Sequence, residues 1–526
     1  MLVKIFSGAV NGIEATTITL EVNILNGAKF IIVGLPDNAV KESQQRIDSA
    51  LREIGSRIPG KRVIINMAPA DVKKEGSAYD LPLCIGILAA NEQLSPEGLE
   101  NFMMLGELSL DGSLVAVKGV LPIAINARSE GFKSIIVPLE NANEAAVVEG
   151  IHVYGFSHIR EVTDFLNGKQ QAEPFTFDPT LSEVTNDLLY DFKDVKGQET
   201  VKRALEIAAA GAHNLLMVGA PGSGKTMLAR RLPGILPPMT VEESLETTKI
   251  HSVAGKLSRN CSLITTRPFR SPHHTISPIA LIGGGSFPRP GEISLATNGV
   301  LFLDELTEFQ RNVLEVMRQP LEDRKITISR ARYSVDYPAN FMLIASMNPC
   351  PCGYYNHPTK ECTCSGSAIQ HYLSKISGPL LDRIDMHIEV VPVELEKIAG
   401  IQEADPSSVV RARVITARNI QTERFKDYPG IYCNAQMSPP LLKRFCPLDK
   451  QCLSLLKMAM QKFGLSARAY DRIIKLSRTI ADLASSDHIL PQHIAEAIQY
   501  RSLDRESWAV NHTRLKISSK PSKWFL

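Results

Sequence analysis

The sequence predicts an α/β chain of three units, and three patterns predict it. Short β-branched runs alternate with amphipathic helical stretches over residues 1–170, a strand, a glycine loop and a helix follow one another from Leu215, and after Pro392 only helical periodicity is left. Length agrees with this division. At 526 residues and 57.8 kDa the chain exceeds one ordinary domain, and about 150 residues per domain gives roughly three.

Composition narrows the class. Hydrophobic residues make up 44% and charged residues 22%, a globular mix that excludes a disordered chain. The 58 Lys and Arg against 56 Asp and Glu leave a formal charge of +2. That excludes a uniformly basic nucleic-acid coat and leaves room for a local basic groove. No run approaches about 20 apolar residues, so no membrane helix is expected. The N-terminus enters strand-like sequence without the apolar region of a leader, so the protein is expected to stay in the cytoplasm. Nine cysteines are too few for a disulfide scaffold, and four of them fall within residues 350–364, a metal-binding distribution.

In the first unit, residues 17–25, 30–33 and 62–66 read as strands. Residues 41–54 read as a helix with Ile47, Ala50, Leu51 and Ile54 on one face and Gly55 at its stop. Periodicity fades over 171–191, read as a linker. The second unit, 192–395, carries further apolar strands around the glycine loop. The third, 396–505, is helical, including 453–460 and 470–483, and a basic tail occupies 506–526. No solenoid-period repeat is present.

The chemistry concentrates in the second unit. Leu215–Val218 is an apolar strand that runs into Gly219, Ala220, Pro221, Gly222, Ser223, Gly224, Lys225 and Thr226, and then into a helix. This is the phosphate-binding P-loop pattern in its strand–loop–helix context. The glycines let backbone N–H groups turn toward phosphate, Lys225 supplies a cation to the β/γ oxygens, and the Thr226 hydroxyl can ligate Mg²⁺. Downstream, the apolar run Val300–Leu303 delivers Asp304 and Glu305. By itself such a pair is often a solvated strand end. Behind a P-loop it reads as a Mg²⁺ carboxylate, Asp304, and a base, Glu305, that polarises the attacking water. A third strand over 341–345 leads to Asn348, which either orients that water or opens a turn before Pro349. ATP hydrolysis is therefore expected.

Two Cys-x-Cys pairs, Cys350 with Cys352 and Cys362 with Cys364, close a short Gly- and Pro-containing loop. Four thiolates so placed can surround a structural Zn²⁺, the alternatives being free thiols or a redox pair. His357 is a substitute ligand or a surface histidine.

These residues resemble a known family, the magnesium-chelatase-like branch of the AAA+ ATPases to which the ComM/YifB proteins belong, over nearly the whole chain. Residues 194–199 look like the AAA+ leading segment beside the adenine pocket, and residues 267–274 and 283–296 look like the branch's insertion between the two nucleotide motifs. Residues 377–385 resemble its arginine-finger segment and 465–472 its sensor-2 helix. The resemblance implies a ring, a homo-hexamer, with ATP at subunit interfaces, Arg383 reaching a neighbour's γ-phosphate and Arg468 touching phosphate. From the residues alone, Arg383 is a surface ion-pair partner of Asp382 or Asp385, and Arg468 a solvated helix position.

The same resemblance makes residues 323–333 a hairpin lining the ring's pore, with Arg324, Lys325, Arg330 and Arg332 contacting DNA phosphates without reading bases. An ordinary solvated hairpin has the same composition. Residues 1–170 resemble the fold of the Lon protease proteolytic domain, S5 domain 2-like. They lack its Ser–Lys dyad, because Pro122 stands at the lysine position, Lys118 is one turn early, and Ser77 has no partner base. The implied architecture is a Lon-like unit without proteolysis, a P-loop AAA+ core and a helical lid. The implied function is an ATP-driven motor for branch migration and helicase action on branched or single-stranded DNA, in recombination during natural transformation. The rival is a chelatase-like ATPase that remodels a protein partner.

Overall fold

The computed structural model describes residues 2–177, 190–258, 261–285, 288–330, 333–392 and 404–501, with the backbone alone at Arg330 and Tyr333. Arg332, the Arg330 side chain, most of the 171–191 stretch, the 395/396 boundary and the 506–526 tail lie outside the described residues.

The first 170 residues form a seven-stranded mixed sheet. Its order is Phe30–Val33, Arg62–Ala68, Glu14–Leu25, Leu2–Asn11, Phe102–Met104, Ser134–Pro138, His152–Phe156. Leu2–Asn11 and Glu14–Leu25 form an antiparallel hairpin from Leu2↔Asn23 to Asn11↔Glu14. Alternation along them buries Val3, Ile5, Ile18, Leu20 and Val22. The predicted helix forms over Asn38–Glu53, capped by Asp37, whose side chain accepts from Val40 N–H, and buries Ile47, Ala50 and Leu51. Gly55 follows at φ +78°, the left-handed turn that ends it. Asp80–Ala90 is wholly buried and, beyond the Asp80 carboxylate that pairs with Arg46, apolar all round, a central helix without a polar face.

The second sheet has five strands in the order Phe269–Arg270, Val300–Leu303, Met342–Met347, Leu215–Gly219, Met386–Val390. All neighbours are parallel, as expected of a sheet buried on both faces. Its alternating side chains feed two cores. Leu215, Met217, Phe302 and Ile344 pack with the helix Glu199–Gly211 and the helical C-terminal residues, while Leu216, Val218, Leu301 and Leu343 pack with the hairpin of Lys325–Arg330 and Tyr333–Pro338. After Val390 the described chain is helical, with Ser407–Phe425, Lys450–Phe463, Ala467–Leu483 and Pro491–Gln499 as its long members.

Both ends of the stretch read as a linker are tied down. Phe175 N–H donates to Val153 O at 2.8 Å, beside the edge of the first sheet, and the Asp191 carboxylate accepts from Ser407 N–H at 2.8 Å. The first unit also touches the second directly. The Gly12 turn lies against Val335 of the hairpin, the Lys118 stem against Gly255, and Ser252 Oγ donates to the buried Glu144.

Candidate nucleotide site

Every residue of Leu215–Gly219 is buried, and the strand stops where Gly222 (φ +77°) and Gly224 (φ +93°) turn the backbone left-handed. The helix Lys225–Arg231 then begins. The ammonium of Lys225 donates to Gly219 O at 2.8 Å, Ala220 O at 3.0 Å and Asn348 Oδ1 at 3.3 Å. Burial lowers its pKa, opposed by Asp304 and Glu305. Thr226 Oγ1 donates to Asp304 Oδ2 at 2.7 Å. A hydroxyl and a carboxylate this close form the hard-oxygen donor set that Mg²⁺ takes.

Asp304 is anchored on its other oxygen by Ser346 Oγ and by Glu305 N–H at 3.1 Å. Ser346 is inside the third strand, which runs to Met347, two residues beyond the end its sequence suggests. Glu305 has φ +54°, a left-handed backbone that a non-glycine residue adopts at a cost. Its side chain is 59% exposed, and Oε2 stands 3.7 Å from His274 Nδ1. His274 in turn lies beside His273, with ring centroids 4.1 Å apart. Gln198, itself at φ +62°, donates to Val391 O at 2.6 Å and reaches Ser223 O at 3.5 Å, which bonds the 194–199 segment to the loop.

The two arginines lie elsewhere. Parallel register pairs Leu215 with Met386 and Gly219 with Val390. Arg383, whose carbonyl accepts from Asn214 Nδ2 at 3.2 Å, is thus beyond the opposite end of the strands from the P-loop, and the Leu215–Gly219 strand between them spans about 13 Å at 3.3 Å per residue. Its guanidinium is paired with Glu322 and donates to Pro379 O at 2.8 Å. Neither Asp382 nor Asp385 is its partner, which corrects the ion pair read from the residues alone. Arg468, 55% exposed, stands 3.8 Å from the other oxygen of Glu322, so one carboxylate gathers both arginines. Asp385 instead pairs with Arg472 and accepts from Asn214 N–H at 2.9 Å. Burial would raise its pKa, but Arg472 and His213 hold it well below the usual carboxylate range.

The four cysteines come together, with every Sγ within 4.8 Å of the others. Sγ separations are 3.3 Å for Cys350–Cys352, 3.7 Å for Cys350–Cys362 and 3.6 Å for Cys352–Cys362. Four thiolates tetrahedral at 2.3 Å from Zn²⁺ stand about 3.8 Å apart, so the donor set fits that ion. His357 takes no part, since its Nδ1 accepts from the N–H groups of Thr359 and Lys360.

The basic hairpin is real in backbone, with Lys325 opposite Pro338 and Arg330 opposite Tyr333. Lys325 is exposed and 3.5 Å from Asp336. Arg324 precedes the first strand of the hairpin. It sits at the foot of the hairpin at φ +54°, donates to Asn340 Oδ1 at 2.6 Å, and lines a cavity of about 40 Å³ with Arg267 and Arg418. In the first unit Ser77 Oγ donates to Glu107, a carboxylate partner that its sequence did not indicate.

Sequence reasoning missed Ser346, His274, Gln198 and Glu322. Each acts across a long sequence separation, so no local pattern marks it, although Gln198 and His274 fall within segments singled out for their resemblance, 194–199 and 267–274.

Comparison with known proteins places these residues in context. Residues 20–141 match the family described as subunit ChlI of Mg-chelatase, residues 191–398 the family described as magnesium chelatase, subunit ChlI, and residues 404–501 the family described as its C-terminal part. The chain is 44% identical over 514 residues to Competence protein ComM of Haemophilus influenzae, covering 96% of this chain and 98% of that protein. It is 43% identical over 498 residues to the uncharacterized protein YifB of Escherichia coli, covering 94% and 96%. To the magnesium-chelatase 38 kDa subunit of Rhodobacter capsulatus it is 24% identical over 190 residues, 32% of this chain and 53% of that subunit.

Proposed function

The chain belongs to the magnesium-chelatase-like family of ComM and YifB, and from that premise we propose that it is an ATP-hydrolysing AAA+ ring motor acting on DNA. The observation that carries the reading is the convergence of Lys225, Thr226, Asp304, Glu305 and Asn348 at one edge of a parallel sheet, while Arg383 and Arg468 share Glu322 beyond the other.

In this mechanism Lys225 leaves its loop carbonyls for the β/γ-phosphate oxygens. Thr226 and Asp304 would hold Mg²⁺, which supplies positive charge to those oxygens. Glu305 accepts the proton of the attacking water, and Asn348 holds that water in line. Arg383 lies too far along the sheet to serve its own P-loop, so it serves the next subunit, together with Arg468. Such a finger contributes about 10³–10⁵ in rate, which makes each site incomplete without a neighbour, as in a ring of heterologous contacts. We read the ring as a homo-hexamer.

The division into a non-proteolytic Lon-like unit (1–170), an AAA+ core (192–395) with a Zn²⁺-binding four-cysteine loop, and a helical lid (396–505) belongs to this proposal. So do DNA contacts from the hairpin through Lys325, Arg330 and Arg332, and a cytoplasmic location. Arg324 acts at the hairpin's foot. The work is branch migration and helicase action on incoming DNA in recombination. Identity of 44% to a competence protein along 96% of the chain, against 22% along 58% and 24% along 32% for two chelatase subunits, favours this over remodelling of a protein partner.

The test is ATP hydrolysis and gel-shift binding by the purified full chain, with and without single-stranded or four-way-branched DNA. The expected result is turnover stimulated by DNA, and DNA retention in ATP that weakens steeply with salt. Turnover with no DNA binding at low salt overturns the DNA motor.

A further inference from the structure

The four-cysteine loop leans directly on the P-loop. Gly353 closes the turn after the first cysteine pair, its N–H donating to Cys350 O at 3.0 Å, and adopts φ +83°. A Cβ at Gly353 would stand 2.5 Å from Cδ and 2.8 Å from Cγ of Pro221. The proline ring is rigid, so the two turns are in closest packing there, and only glycine satisfies both the dihedral and the approach. The same loop leaves the sheet through Asn348, whose amide oxygen is 3.3 Å from the Lys225 ammonium. The first Cys-x-Cys pair is therefore fixed at both flanks to the P-loop, through Pro221 on one side and Lys225 on the other.

We propose that these cysteines form a zinc-held wall of the nucleotide site. A Zn²⁺ ion bound by Cys350, Cys352, Cys362 and Cys364 fixes the Cys350–Gly353 turn against Pro221, so that affinity for ATP depends on zinc. The proposal rests on the reading of Lys225 and Thr226 as a nucleotide site. Two features make the ion matter. Three pairs of Sγ atoms stand 3.3–3.7 Å apart, a spacing that one tetrahedral Zn²⁺ spans with four strong bonds, whereas without the ion only weak S–H···S contacts hold the pairs together, so loss of the ion loosens the loop. Backbone N–H groups of Cys352 and Tyr355 also donate to Cys364 and Cys350 Sγ at 3.4 and 3.3 Å, bonds of the kind that orient sulfur ligands toward a metal. A loosened loop withdraws Gly353 from Pro221 and moves Asn348 away from Lys225.

The experiment uses the full chain purified without chelator, zinc counted by elemental analysis and a fluorescent ATP analogue titrated in Mg²⁺. The expected result is about one zinc per chain, an affinity that falls about tenfold on removal of zinc by a chelator, and recovery on adding Zn²⁺ alone. Gly353→Val should keep its zinc yet show a similar loss, because it pushes on Pro221 rather than on the metal. Cys362→Ser with Cys364→Ser should lose both. Unchanged affinity in the zinc-free wild-type chain overturns the proposal even if the variants misfold, and so does a chain that takes up no zinc. A zinc-loaded chain that binds no ATP analogue takes down the nucleotide-site reading itself, and the coupling with it.

Discussion

In the proposed reaction Glu305 and Lys225 act at different steps, and their environments say how each would fail. Glu305 is exposed, keeps a left-handed backbone and is not bonded to the loop, so its carboxylate is free to meet a water without helping to hold the nucleotide. Glu305→Gln preserves shape and removes the proton acceptor. ATP binding should remain near wild type, while turnover falls by about 10²–10⁴. Lys225 sits among three acceptors whose partial charge only a phosphate replaces, so Lys225→Ala should abolish binding itself. Analogue titration and phosphate release separate the two, and normal turnover by the glutamine variant would mean that another group is the base.

At the scale of elements, the junction between the second sheet and the helical C-terminal residues is built on a buried polar cluster. His213 Nε2 is 2.8 Å from Thr479 Oγ1, and its Nδ1 is 3.7 Å from Asp385 Oδ2. Burial pushes the His213 pKa down, and likewise His251, His387 and His493. The unfolded chain therefore takes up protons below about pH 6.5 that the folded chain refuses, and stability falls as pH drops through that value. Asp385, with a depressed pKa, contributes stability that is present above about pH 3.8 and lost only below it, so the two windows are separate. The urea midpoint should fall from pH 7.5 to 5.5, and His213→Gln, which keeps a donor for Thr479, should fall less. One proton's difference amounts to at most about 1.4 kcal/mol per pH unit. Comparison of the two chains removes the opposing effect of carboxyls raised by burial, such as Glu144.

The same cluster shows what the sequence could carry. Leu215–Gly219 and Val300–Leu303 were legible because an apolar run followed by glycine or carboxylate is a local signal, and the helix read over 41–54 because an apolar stripe and a stop glycine are local too, although its first turn and the Asp37 cap were not read. Arg383 was not, since its partner Glu322 is 61 residues away. Nor was the pressure of Gly353 on Pro221, which only the folded sheet creates. Arg324 was assigned to an arm because strand alternation does not mark where a hairpin starts.

At the scale of the whole molecule, the separation of Arg383 from its own P-loop sets the strongest test of assembly. If each active site takes Lys225 and Glu305 from one subunit and Arg383 from the next, Arg383→Ala and Lys225→Ala chains each fail alone, for complementary reasons. Mixed in equal parts and allowed to exchange, they form interfaces of four kinds, and roughly a quarter join an intact P-loop to an intact arginine. ATP hydrolysis should reappear in the mixture at up to that fraction of wild type, and should vanish on dilution as rings dissociate. Glu322, which holds the arginines within one chain, should matter to this balance too. Glu322→Gln weakens its grip on Arg383 and Arg468 and should lower the protein concentration at which wild-type activity is half-developed. Activity from the Arg383→Ala chain alone would mean that Arg383 is not the finger. None from the mixture, when pull-down of one tagged chain brings the other with it, would place the finger within its own subunit and contradict the strand of about 13 Å, roughly four residue steps, that divides it from the P-loop.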